Sequence, residues 1–134
     1  MIAVDTSVVV AAFASWHESH QAALRALRGA PRLPAHVAHE TFSVLTRLPP
    51  PHRADAEIVA TFLELRFPGP LLALRGGDLK RLPREAVAAG ITGGSIYDAL
   101  VAATARRAGA TLLTRDRRAV PVYEAMGIKF DLVS

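Results

Sequence analysis

The chain contains no cysteine, which excludes disulfides and thiolate metal sites. It has few aromatics, 6% in all with a single tryptophan. No apolar run approaches the roughly 20 residues that span a bilayer, so no membrane partner is expected. Asp5 interrupts the first apolar stretch and no basic region precedes it, which argues against a secretory signal. A cytoplasmic location is expected. Several active-site signatures are also missing. There is no Gly-rich loop ending in Lys-Ser or Lys-Thr, no Gly-x-Gly-x-x-Gly, and no Gly-x-Ser-x-Gly elbow. A P-loop nucleotidase, a dinucleotide site and that kind of serine hydrolase are disfavoured.

What is present is 134 residues, 51% hydrophobic, enough for one domain with its own core. Basic residues outnumber acidic ones by 16 to 12, and 14 of the 16 are arginine. That balance mildly favours a polyanion such as RNA or DNA, yet an Arg- and Ala-rich composition explains it equally well.

Periodicity predicts a buried first strand over Ile2 to Val4, followed at once by a helix from Val8 to Ala14 that Thr6 and Ser7 cap through their hydroxyls. Further helices are expected at Gln21–Arg28, Ala35–Leu48, Ala54–Leu65, Leu79–Ala89, Ile96–Ala108 and Val120–Met126. In the fourth of these seven helices Ile58, Phe62 and Leu65 should point inward. Short extended segments are expected at Arg32–Leu33, Leu71–Leu74, Thr111–Thr114 and Ile128–Val133. Strands separated by helices imply crossover connections. The expected fold is α/β, a mainly parallel central sheet with helices on both faces, forming a single domain over residues 1–134 with the strand order open.

Four acids stand out, three of them where strands end or helices begin. Asp5 follows the first strand, and Asp116 follows Thr111–Thr114 with only Arg115 between. In open α/β sheets that carboxyl edge is where ligands bind. Asp98 lies in the first turn of the alanine-rich helix, where an acid is also favoured simply by the helix N-terminus. Glu40 sits mid-helix beside the apolar face. Singly, each has a bland explanation. Converging carboxylates repel unless cations compensate, and Mg²⁺ takes oxygen ligands from a few carboxylates. Such an ion activates water for phosphodiester displacement. The pairs His17/His20 and His36/His39 have zinc-like spacing, but two such pairs are more often polar helix faces.

These residues resemble the PIN-domain family, and within it the VapC ribonuclease toxins of type II toxin–antitoxin pairs. Val4-Asp5-Thr6-Ser7-Val8 is similar to the first motif, and His39-Glu40-Thr41-Phe42 through Leu48 to the helix bearing the second acid. Ile96-Tyr97-Asp98-Ala99 through Ala105 resembles the third, and Thr111 through Asp116, followed by Arg117-Arg118-Ala119, the fourth. Each motif is permissive; four in order are specific. The resemblance implies a metal-dependent endoribonuclease with Asp5, Glu40, Asp98 and Asp116 around Mg²⁺ or, as a substitute, Mn²⁺. Asp5, Asp98 and Asp116 are the implied direct ligands, with Glu40 binding metal or orienting its water. Thr6 and Thr114 stand where a hydroxyl steadies a ligand, although as a helix cap and a strand residue they need no such role. Where some members carry a further acid after the fourth motif, this chain has Arg117 and Arg118, so the number of metals stays open.

The resemblance also implies a VapB-like antitoxin whose C-terminal segment lies in a groove, an RNA substrate, and a homodimer. Phe13, Trp16, Phe42 and Phe62 are candidates to line those surfaces, and Arg115, Arg117 and Arg118 to meet RNA phosphates. A non-catalytic interaction domain on the same fold is the alternative, disfavoured by the presence of all four acids. An aspartyl phosphotransferase wants a second acid two residues after Asp5, where this chain has Ser7.

Overall fold

The computed structural model describes residues 1–134. Strand β1 (Ile2–Val4) leads directly into α1 (Thr6–Phe13), and α2 (His20–Leu27), α3 (Ala35–Thr46), α4 (Ala56–Arg66), α5 (Gly76–Ala88) and α6 (Ser95–Arg107) follow. The chain then forms β2 (Thr111–Thr114), α7 (Val120–Ala125) and β3 (Phe130–Leu132). The sheet order is β1-β2-β3, and both pairings are parallel, with Ala3 opposite Leu112 and Leu113 opposite Asp131. Beyond β1 the arrangement continues as single parallel bridges, Ala3 to Arg32 and Pro34 to Leu72.

Because β1 and β2 run in the same direction, their carboxyl ends share one edge. The ladder runs out to that edge: the Asp5 N–H donates to the Leu113 carbonyl at 3.1 Å. Asp5 and Asp116 therefore leave the sheet side by side. Val4 and Leu112 are fully buried beneath them, each such side chain contributing about 1.5–3 kcal/mol. Helices α1 and α6 both pack on β2. In α6 the buried residues include Ala99, Ala102, Ala103 and Ala105, whose small side chains let the helix lie close to its neighbours. Close packing brings Asp98, in the first turn, towards the same edge.

Two expectations are corrected here. Leu71–Leu74 does not form a strand; only Leu72 pairs, its N–H donating to Leu33 and its carbonyl accepting from Ala35. Pro34, opposite it, has no N–H, and α3 begins at the next residue, so the ladder has nowhere to extend. In α4 the buried residue is Val59, while Ile58 and Leu65 are exposed. Phe62 does turn partly inward, making an edge-to-face contact with Phe13 at 5.2 Å. The helix packs chiefly on α3, so only a narrow stripe of it is covered.

Candidate active site

Asp5 is the anchor. It is 4% exposed and caps α1, its Oδ1 accepting from the N–H of Ser7 at 3.0 Å and of Val8 at 3.4 Å. The expected capping is thus reversed: the carboxylate caps, and the hydroxyls of Thr6 and Ser7 serve carboxylates instead. Ser7 Oγ donates to Asp5 Oδ1 and accepts the Arg115 N–H at 2.8 Å. Thr6 Oγ1 donates to Glu40 Oε1, which ties α3 to the start of α1. On the far side, Asp5 Oδ2 accepts from Thr114 Oγ1 and, at 2.8 Å, from the Tyr123 hydroxyl.

Thr114 also organises Asp116, accepting its N–H at 3.0 Å. Asp116 Oδ1 in turn accepts the Arg118 N–H at 3.0 Å, with the Arg118 guanidinium 3.5 Å away. Glu40 has His36 at 3.9 Å one turn back along α3. Asp98 makes no cap bond in α6, whose N-cap is Gly94.

Asp5, Glu40, Asp98 and Asp116 line one cavity of about 30 Å³, with Thr6, Ser7, Val101 and Tyr123 completing its wall. That is room for a water or a small ion. Burial, then the neighbouring Asp116, Glu40 and Asp5 charges, push the Asp98 carboxyl up to about 6, against the pull of Arg118. A residue that merely capped a helix would move the other way. Burial also raises Asp5, opposed by the hydroxyls of Ser7, Thr114 and Tyr123 and the Val8 N–H. The Tyr123 phenol is raised by burial and by Asp5, so it stays a donor.

The carboxylates are gathered but open: no three acidic or histidine side chains already stand as a closed metal ligand set. The donors are of the right kind for Mg²⁺, being hard carboxylate oxygens with hydroxyls behind them.

Outside the cavity lies a cleft of about 450 Å³, sharing Thr6, Ser7, Glu40, Asp98 and Asp116 and adding His17, Tyr97, Arg115 and Arg118. Burial and Arg115 lower the His17 imidazole from its ordinary value. Arg117 is exposed and lines neither space. His39 is exposed as well, and His20 turns its Nδ1 to the Ala11 carbonyl at 2.9 Å, so neither histidine pair assembles a zinc site. A larger apolar groove of about 600 Å³ runs between α1, α2 and α4, lined by Phe13, Leu24, Ile58, Phe62 and Leu65. Trp16 and Phe42 are exposed but stand outside it.

Sequence reasoning missed Tyr123 and the carboxylate-holding role of Ser7. Ser7 lay within the first motif. Tyr123 carried no local signal, since a tyrosine in a short apolar helix reads as core.

Comparison with known proteins places this arrangement. The family model for the PIN domain matches residues 2–124. The chain is 51% identical to ribonuclease VapC40 of Mycobacterium tuberculosis over 134 residues, covering the whole of both. It is 43% identical to ribonuclease VapC27 of the same organism over 129 residues, 95% of this chain and 93% of that one. Among solved structures, FitAcB from Neisseria gonorrhoeae superposes with a TM-score of 0.69 at 18% identity, covering 97% of this chain and 96% of that one. FitAB bound to an IR36 DNA fragment gives 0.72 at 19% identity, covering 98% and 94%. At such identities these two show the shared fold.

Proposed function

Because the chain belongs to the PIN-domain family, and within it to the VapC-type proteins, we propose that it is a metal-dependent endoribonuclease and the toxin of a type II toxin–antitoxin pair. The observation that carries this reading is the cavity of about 30 Å³ with four carboxylates in its wall. Such a cluster is costly to charge: burial first, and then the neighbouring carboxylates, push Asp98 up, and a cation offsets both. Asp5, Asp98 and Asp116 would hold Mg²⁺, or Mn²⁺ in its place, with Glu40 as a further ligand or orienting water. Bound there, the ion supplies an activated water and charge stabilisation for phosphodiester hydrolysis.

The chain's own residues do the rest. Ser7, Thr114 and Tyr123 fix the Asp5 carboxylate so that little reorganisation is needed when substrate arrives. Thr6 orients Glu40 by holding Oε1, while Oε2 lies 3.9 Å from His36 Nε2. Arg115 and Arg118 line the cleft and meet RNA phosphates, while the carboxylates keep those phosphates from settling without a cation. An unstacked strand lets a phosphate reach so small a cavity.

The apolar groove of about 600 Å³ supports a protein partner, a cognate antitoxin presenting an apolar segment to Ile58, Phe62 and Leu65. Metal-dependent cleavage of RNA by the purified, partner-free protein tests the central reading.

A further inference from the structure

Tyr97 is 55% exposed, although it immediately precedes Asp98 in the first turn of α6. Its ring is stacked on the His36 imidazole, centroids 5.2 Å apart and planes 6° from parallel. His36 is itself held in α3, one turn before Glu40, with its Nε2 buried and making no hydrogen bond. A large ring is therefore braced from beneath by one of the two helices that supply the acids, and carried by the other. It lines the same cleft as Asp98, Asp116, Arg115 and Arg118.

That cleft combines three things a single nucleotide needs: cations for phosphate, carboxylates at the reacting centre, and an aromatic face for a base. The exposed Trp16 does not share this placement, being stacked on His52 at 4.0 Å outside the cleft. We propose that Tyr97, backed by His36, is the platform on which the base next to the scissile phosphate stacks. The inference rests on the nuclease reading and deepens it: the substrate is single-stranded RNA with one base drawn out against α6. Stacking on an aromatic ring tolerates any base, so the platform selects for an unstacked strand rather than a sequence. A duplex, with its bases already stacked, is excluded.

The test uses the full chain carrying Asp116→Asn, with Mg²⁺ present, and single-stranded oligouridylates roughly ten nucleotides long. One 2-aminopurine is placed at each position in turn. The expected result is quenched emission at one position on binding. Tyr97→Ala abolishes that quench and weakens binding roughly tenfold; Tyr97→Phe preserves both. An abasic nucleotide at that position weakens binding by the parent and adds nothing to the loss in Tyr97→Ala. Thermal unfolding of the variants confirms that an exposed ring was removed without loss of fold.

If the parent binds RNA and Tyr97→Ala binds equally well with the quench intact, the platform is overturned and the nuclease reading stands. Failure of the unsubstituted chain, with Asp116 restored and Mg²⁺ present, to bind or cut any RNA overturns both. If Tyr97→Ala instead dissociates a dimer in sedimentation while RNA affinity is unchanged, the ring is a contact between copies and the proposal is wrong.

Discussion

The Tyr123 hydroxyl donates to Asp5 Oδ2 at 2.8 Å, joining residues 118 positions apart in the chain. Both are buried. The bond links α7, which follows the fourth motif, to the end of β1, which carries the first. Tyr123→Phe removes one donor from a carboxylate that burial already disfavours. It should cost about 1–3 kcal/mol of stability and weaken Mg²⁺ binding about tenfold. Thermal unfolding and calorimetric titration with Mg²⁺ measure both; unchanged values would show that Asp5 does not depend on this bond.

Burial of Asp98, and then its acidic neighbours, impose a cost that should appear as a pH dependence of the metal-free protein. Asp98 titrates near 6 in the folded chain and from an ordinary value of 3.8 when unfolded. Its folded pKa is the higher, so the penalty is absent below about 3.8, grows as pH rises through that window, and is complete above about 6. Asp98→Asn should therefore stabilise the metal-free protein at pH 7.5 and lose that advantage near pH 4. Because Asp98 is only partly buried, solvent screening tempers the gain to about 1 kcal/mol. A variant less stable than the parent at pH 7.5 would contradict the cost assigned to a buried Asp98 charge beside Asp116, Glu40 and Asp5.

Arg118 lies against Asp116 and faces the cleft. Arg118→Ala should weaken RNA binding across all sequences and lower the slope of log affinity against log salt by about 1. Arg117, which lines neither space, serves as the control, and Arg117→Ala should change the slope by less. Equal effects from the two would assign the cations to a diffuse field rather than the cleft.

The groove between α1, α2 and α4 gives a separate prediction. Ile58→Glu places a charge where Phe13, Phe62 and Leu65 form an apolar wall. Ile58 is 59% exposed, so the fold should tolerate the change. The variant should fail to co-purify with its cognate antitoxin while keeping its melting temperature and its cleavage of RNA. Retained co-purification would place the partner elsewhere.

Much of this arrangement was legible because it is local. Ile2–Val4 and Thr111–Thr114 are short apolar runs closed by acids, and parallel pairing puts Asp5 and Asp116 at one edge. Glu40 and Asp98 were legible from motif resemblance, since neither position distinguishes itself by periodicity. What was not legible depends on contacts distant in sequence. Helical spacing in α4 marks Ile58, Phe62 and Leu65 as one face but does not say whether anything covers it. Leu71–Leu74 has strand-like composition, yet its neighbour offers Pro34 where a ladder needs a donor. The reversal at Thr6 and Ser7 has the same origin: a hydroxyl after a strand reads as a cap until a buried carboxylate takes that role. Tyr123 reads as core, and is core, except that its hydroxyl reaches Asp5.

The most direct measurement is cleavage of labelled total RNA by the purified protein freed of any partner, in Mg²⁺, Mn²⁺ and EDTA, with Asp98→Ala beside the parent. The account predicts discrete products that require a divalent ion and fall by at least about a hundredfold in Asp98→Ala, both proteins being folded. No cleavage by folded, Mg²⁺-loaded parent, or cleavage of equal rate in the variant, would contradict it.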